Sequence, residues 1–223
     1  MKVSLIKKVK WNRALLTCAL LFFTIILHYT IILNTTSGSA QPFQKYLNGA
    51  ERFISGSIEP ERISDFSPLY LQLHIIATKV FNNSAQVMII LNILAISIAS
   101  VFLFYLLRLF FSLSISLTGF LLFVFSPGIL IYEKVMEPEP LQVLFITGML
   151  YFLLRFLKGE KQYSIKDIFL SGMFFGLTLL TRSSLFPLFI LIPVYLSQLF
   201  GLIQHTIRSN NDIINILKLS LSI

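Results

Sequence analysis

The chain has 223 residues, of which 56% are hydrophobic, 14% aromatic with 22 Phe, and only 13% charged, at a mean hydropathy of +0.81. A soluble domain carries roughly a quarter charged residues, so this composition excludes a soluble globular protein, and with it disordered, collagenous and coiled-coil chains. One cysteine, Cys18, excludes an intramolecular disulfide framework and a Cys-based structural metal site, and the net charge of +8 finds its explanation in where the positive residues fall.

Six stretches are apolar enough to enter a hydrocarbon layer of ~30 Å. In chain order they are Ala14 to Leu33, Val87 to Leu107, Leu109 to Phe125, Leu141 to Leu157, Ile168 to Thr181 and Leu185 to Ile203. The expected fold class is therefore all-α, a polytopic transmembrane helix bundle of about six spans. Arg155 interrupts the fourth stretch near its end, where its long side chain can snorkel to the interface. The first run, at 20 residues, exceeds the ~7–15 of a signal-peptide core and reads as an uncleaved anchor.

Twelve of the 18 Lys and Arg fall on the side of the N-terminus, five of them (Lys2, Lys7, Lys8, Lys10, Arg13) before the first span. Seven of the ten acids (Glu51, Glu59, Glu61, Asp65, Glu133, Glu137, Glu139) fall on the opposite side. This asymmetry places the N-terminus and the C-terminus in the cytoplasm, and it accounts for the net charge without a nucleic acid partner. The expected organisation is a basic cytoplasmic N-terminus over 1–13, a membrane module over 14–204 with outer loops at about 34–86, 126–140 and 181–184, and a cytoplasmic or truncated tail over 205–223.

The first outer segment is too long for a turn. Within it Phe43, Tyr46, Leu47, Ala50, Phe53 and Ile54 form a helical stripe, with Lys45, Asn48, Glu51 and Arg52 opposite and Gly56 as a stop. A second stripe (Leu69, Leu73, Ile76, Ala77, Val80) follows Ser67-Pro68, a cap residue and a proline at the first helical position. Both read as interfacial amphipathic helices. The second outer loop carries Tyr132, Glu133, Glu137, Pro138, Glu139 and Pro140, and the minimal third one is Thr181-Arg182-Ser183-Ser184. Acids, one arginine and two interfacial helices thus gather on one side of the membrane, the layout of a surface site. His28 and Tyr29 read as interfacial anchors, His74 and His205 have no acid or Cys at ligand spacing, and Asn34-Thr35-Thr36 and Asn82-Asn83-Ser84 are glycosylation sequons. Almost no ionisable residue is expected deep in the spans, which argues against a transporter component.

Four stretches together resemble the polytopic glycosyltransferases of the C superfamily. They are Tyr46 to Gly56, Phe66-Ser67-Pro68-Leu69-Tyr70, Ile131 to Leu141 with its acids, and Ser171-Gly172 through Gly176-Leu177 to Leu180-Thr181-Arg182. The likeness is to the dolichyl-phosphate-mannose protein mannosyltransferases and bacterial aminoarabinose transferases, glycosyltransferase family 39, in order and spacing from about residue 10 to 200. It implies transfer of a hexosyl or pentosyl group from a polyprenyl-phosphate sugar to an acceptor on the outer or lumenal face, in a multi-pass protein of a prokaryotic plasma membrane. It implies catalytic candidates Glu137, Glu139, Asp65 and Glu51, and binding candidates Arg182, Tyr46, Tyr70 and Glu133 for the lipid phosphate and substrate. A divalent cation is used by some relatives. The family places an acid a few residues before the tyrosine, whereas Ser39 to Lys45 hold none, and an amide such as Gln44 does not titrate. Family members also continue beyond the equivalent of Ile223. The chain is thus expected to be the N-terminal module of such an enzyme, shortened or degenerate and working with a partner membrane subunit. The alternative is a non-catalytic subunit of the same fold that binds polyprenyl-phosphate lipids.

Overall fold

In hydrocarbon no water is at hand to bond backbone N–H groups, so apolar runs satisfy them within their own helices. The computed structural model describes residues 2–35, 45–57, 66–81, 84–135, 137–158 and 165–182, which all fall in one unit, Met1–Arg182. Among these residues every element is an α-helix.

Among the described residues three helices are long and apolar enough to cross a membrane: α1 (Lys2–Thr35) over Arg13–Asn34, α4 (Ser84–Arg108) over Ala85–Arg108, and α7 (Glu139–Leu157) along its whole length. Two further helices, α5 (Leu113–Val124) and α6 (Pro127–Val135), are bent by 49° at a short break and bring the number to four when taken as one broken span. The described residues thus supply three or four of the six spans expected. Of the expected third stretch, Leu109 to Phe125, only Leu113–Val124 is helical, and its 12 residues reach about 18 Å before the break at Ser126-Pro127, where proline removes a backbone donor. The fifth is α8 (Ile165–Thr181), whose 17 residues reach about 26 Å at 1.5 Å each, just short of the hydrocarbon thickness. The sixth, Leu185 to Ile203, lies outside the described residues.

Both helices expected in the first loop are present. The first, α2 (Lys45–Ile54), buries Tyr46, Gly49 and Ala50 and stops at Gly56, whose φ of 70° suits a residue without Cβ. The second, α3 (Pro68–Val80), starts as its sequence predicts, with the Ser67 hydroxyl accepting from the Tyr70 N–H. In the loop that follows α5 the structure adds a helix. There Ser126-Pro127 repeats the cap-then-proline pattern, the Ser126 carbonyl accepts from Ile129 and Leu130, and Glu133 becomes part of α6.

The central helix, α4, packs against α1, α3, α5, α6 and α7, and α7 also lies along α8. One apolar cluster joins α2 and α3 to α4 and α7 through Tyr46, Ala50, Tyr70, Leu71, Met88 and Leu141. Another joins α1, α4 and α5 through Leu20, Val101, Phe104, Phe120 and Val124. Near the far ends of the spans, the Lys158 ammonium after α7 donates to the Leu109 carbonyl after α4, so α4 and α7 finish side by side. The α7–α8 pair is antiparallel, with an ion pair at each end, Arg155–Asp167 at one and Glu139–Arg182 at the other. Asp167 is buried, and Arg155 reaches it across the rings of Tyr151 and Phe152.

Candidate functional site

The first turn of α7, the end of α8 and the starts of α2 and α3 meet at one end of the helix bundle. Tyr46 on α2 accepts a hydrogen bond at its hydroxyl from the Ser67 N–H, 3.2 Å away, and so joins the first helix to the cap of the second. The Ser67 hydroxyl also donates to the Leu180 carbonyl at 3.4 Å, which ties that cap to the last turn of α8. One turn into α3, Tyr70 is fully buried with its hydroxyl against the Asn92 side chain of α4, and Asn92 in turn donates to the Glu133 carbonyl.

Above this framework lie the charges. Arg182 donates to Glu139 Oε1 at 2.7 Å, while Glu139 Oε2 is buried without a hydrogen-bond partner among the described residues. Glu137 is half-buried two residues before it. Burial, and then the Glu139 charge, raise its pKa above the ordinary carboxylate value, against the downward pull of Lys45 and Arg182. The same two acids raise the Tyr46 pKa beyond what burial alone does, and Arg182 opposes them. Lys45 stands over the Tyr46 and Phe66 rings, 5.7 and 5.4 Å from their centroids. Acids, cations and phenol rings from four separate stretches therefore act on one another at a single place.

Five of the sequence candidates thus come together: Glu137, Glu139, Arg182, Tyr46 and Tyr70. Glu51 lies on the exposed face of α2, and Asp65 and the stretch before Lys45 lie outside the described residues. Glu133 does not face the site. It is fully buried, with both carboxylate oxygens 2.7 Å from Nδ1 of His28, whose Nε2 is 3.1 Å from the Val124 carbonyl. His28 is therefore an interior residue of the α1 span and not an interfacial anchor. His28 and Glu133 form an ionisable pair buried inside the bundle.

Sequence reading missed three members of this neighbourhood. Lys45 read only as part of the polar side opposite the helical stripe, and Asn92 drew no reading at all. His74 is fully buried between Tyr46 and Tyr70, stacked on the first at 5.8 Å and edge-on to the second at 5.0 Å. Neither of its ring nitrogens has a hydrogen-bond partner among the described residues, and burial lowers its pKa to about 4, so it packs as a neutral aromatic ring at physiological pH. Its i, i+4 spacing from Tyr70 was the available signal.

A family model described as dolichyl-phosphate-mannose-protein mannosyltransferase matches residues 65–221, which takes in α3 to α8 with Glu137, Glu139 and Arg182 and leaves Lys45 and Tyr46 just ahead of the match. No curated protein and no solved structure matches the chain.

Proposed function

Because the chain belongs to the dolichyl-phosphate-mannose-protein mannosyltransferase family, we propose that it is a membrane glycosyltransferase whose site is the cluster of Glu137, Glu139, Arg182, Lys45, Tyr46 and Tyr70. Its donor is a polyprenyl-phosphate sugar, and the site faces the outer or lumenal side of a multi-pass protein with its N-terminus in the cytoplasm. In the reaction an acceptor hydroxyl oxygen attacks the sugar's anomeric carbon. The bond from that carbon to the phosphate oxygen breaks, the electron pair leaves on the polyprenyl phosphate, and the hydroxyl proton passes to a carboxylate. Glu137 suits that last role, since a base with a raised pKa holds a proton better than an ordinary carboxylate. Arg182 suits the phosphate, because a guanidinium fork matches two phosphate oxygens and opposes the charge that grows on them. Glu139 orients that guanidinium through its 2.7 Å bond. Phe66 and the small exposed part of Tyr46 face the lipid-linked sugar, and the fully buried Tyr70 packs beneath Tyr46.

The single observation that carries this reading is that Arg182 and Glu139, 43 residues apart in sequence, pair at 2.7 Å two residues from the half-buried Glu137. No three His, Cys, Asp or Glu side chains converge among the described residues. A divalent cation here would take Glu137 and Glu139 Oε2 from this chain and its remaining oxygen ligands from the phosphate and water. The absence of a carboxylate from Ser39 to Lys45 favours a second reading, a subunit that binds the lipid without turning it over. Incubating the detergent-purified protein with radiolabelled polyprenyl-phosphate sugars separates the two. Sugar release that disappears in Glu137→Gln supports transfer with its base in the second loop. Binding without release in both proteins supports the second reading, and no binding in either sinks both.

A further inference from the structure

One side chain inside the bundle touches both halves of this site. Asn92 lies on α4 within the Ala85–Arg108 span and is fully buried. Its amide donates to the Glu133 carbonyl at 3.3 Å and stands 3.2 Å from the Tyr70 hydroxyl. The first partner belongs to α6 and the second to α3.

The bond to Glu133 is made at a helix end. In a continued α-helix the carbonyl of residue 133 accepts from the N–H of residue 137, but α6 stops at Val135, and a helix terminus leaves its last carbonyls without donors. Pro138 disfavours helical backbone at Glu137, which keeps the chain from supplying that donor by adding a turn. Asn92 supplies it from the neighbouring helix. Glu137 therefore follows, four residues on, a carbonyl that the amide holds, while beyond it the Pro138 carbonyl accepts from the Gln142 N–H of α7. The Glu133 side chain is held at the same point by His28, 2.7 Å away.

The contact with Tyr70 reaches the other half. The Tyr70 ring meets Tyr46 edge-on at 5.0 Å, and the Tyr46 hydroxyl accepts from the Ser67 N–H, so the place of Tyr70 sets where the Tyr46 ring stands. Leucine would suit the apolar pattern of α4 at this position, whereas an amide inside a membrane span costs free energy unless its donors find partners. Polar side chains commonly fasten membrane helices to one another, and Ser100, about two turns further along α4, is such a fastener, its hydroxyl 3.4 Å from Thr24 of α1. Asn92 differs in its partners, since one precedes the Glu137 segment and the other supports Tyr46.

We propose that Asn92 is a positioning residue of the site, fixing the Glu137 segment against the Tyr46–Tyr70 pair by bonding to both sides at once. Its kinetic consequence rests on the glycosyltransferase reading, and its geometric consequence stands without it. Arg182 and Glu139 pair between α7 and α8 without Asn92, so the hold on the donor's phosphate does not pass through it.

The test compares Asn92→Leu, Tyr70→Phe and Ser100→Ala in the full-length, detergent-purified protein. Asn92→Leu lowers kcat at least tenfold, since a misplacement of about 1 Å costs about 10²-fold, while the Kd and stoichiometry for a radiolabelled polyprenyl-phosphate sugar stay within threefold. The acid limb of its pH–rate profile moves toward lower pH, because Glu137 leaves the burial and the Glu139 charge that raise its pKa against Lys45 and Arg182. A mere loss of folded molecules would lower the profile without moving it. Spin labels at Glu51→Cys on α2 and Tyr132→Cys on α6, both exposed positions, in a Cys18→Ser background give the distance between the two halves by pulsed electron paramagnetic resonance. The distance distribution is expected to shift or broaden in Asn92→Leu and Tyr70→Phe and to stay as it is in Ser100→Ala. An unchanged distribution in Asn92→Leu, an unchanged kcat in an active protein, or an equal change in Ser100→Ala overturns the proposal. No sugar release from the unaltered protein sinks the transferase reading alone, and the distances still decide the placement. Tyr70→Phe, which removes one oxygen and keeps the ring, decides it where Asn92→Leu does not fold, an unchanged distribution there overturning the proposal.

Discussion

Removing one side of the buried His28–Glu133 contact tests whether α1 and α6 are joined as described. Both side chains are fully buried, and the His28 Nε2 lies 3.1 Å from the Val124 carbonyl, an acceptor only. With Nε2 donating there, a neutral ring leaves Nδ1 as an acceptor, so the pair shares one proton on the 2.7 Å contact to Glu133. Glu133→Ala deletes that partner and leaves a buried nitrogen unsatisfied, a loss of about 1–3 kcal/mol. At roughly 2–4 °C per kcal/mol for a chain of this size, a loss near the middle of that range lowers the unfolding midpoint by about 4–8 °C. Glu133→Gln keeps an N–H that can donate to Nδ1, so its loss stays below about 1 kcal/mol. Replacing both partners by leucine removes both polar groups and falls closer to the unaltered protein than Glu133→Ala does, since apolar residues of similar volume replace buried pairs at little cost. Thermal unfolding of the detergent-purified variants, followed by circular dichroism, orders them. Equal midpoints for Ala and Gln, or an unshifted Ala variant, refute a buried hydrogen-bonded pair.

Further outcomes concern the site itself. Arg182→Ala is expected to lower sugar transfer about 10²–10³-fold, the usual loss on removing one donor to developing charge, while membrane insertion persists; single-turnover rates with labelled donor check it. The Glu137 pKa is raised, so its base form is lost as pH falls through a value above the ordinary carboxylate one, and the acid limb of the rate profile lies correspondingly high. Glu139→Gln removes one of the charges that raise it and moves that limb toward lower pH, whereas Arg182→Gln moves it toward higher pH, and pH–rate profiles of the two variants read the opposite shifts. Gly49→Ala places a Cβ 2.5 and 2.7 Å from Phe66 ring atoms. Overpacking costs about 1–3 kcal/mol against a helix-propensity gain of about 1, so α2 loosens, Tyr46 leaves the Ser67 N–H, and transfer falls with helical content unchanged by circular dichroism.

What the sequence revealed was local. Ser67-Pro68 and Gly56 mark helix ends because capping and a positive φ depend on a few adjacent residues, and both helices of the first loop stand where those signals put them. The gathering of Glu137, Glu139 and Arg182 was legible from the order of the outer loops, since short connections bring their ends together. The direct Glu139–Arg182 bond needed the antiparallel register of α7 and α8. His28 and Glu133 are 105 residues apart, and hydropathy cannot distinguish a histidine facing lipid from one facing a carboxylate inside the bundle. The Arg155–Asp167 pair likewise depends on which helix packs beside α7, which the sequence around Arg155 does not contain. The helix at Pro127 was missed although its Ser-Pro start matches the one at Ser67, because the two acids after it drew the reading toward a loop.

The signs in the α7–α8 hairpin follow an order that the ion pairs alone do not require. Glu139 and Asp167 stand in the first turns of their helices, Arg155 in the last turn of α7, and Arg182 directly after α8. Each therefore opposes the partial charge that aligned peptide dipoles place at its own helix end. Antiparallel packing then sets an acid at the start of one helix beside a base at the end of the other, so the dipole preference and the pairing agree at both ends. Exchanging every sign, with Glu139→Arg, Arg182→Glu, Arg155→Asp and Asp167→Arg, would keep both pairs while turning all four charges against their helices. At about 0.3–1 kcal/mol per charge, that hairpin would be less stable by about 1–4 kcal/mol before the reversal of each dipole term is counted. The pairs are thus directional, and the polarity of the two helices is written into which partner carries the carboxylate.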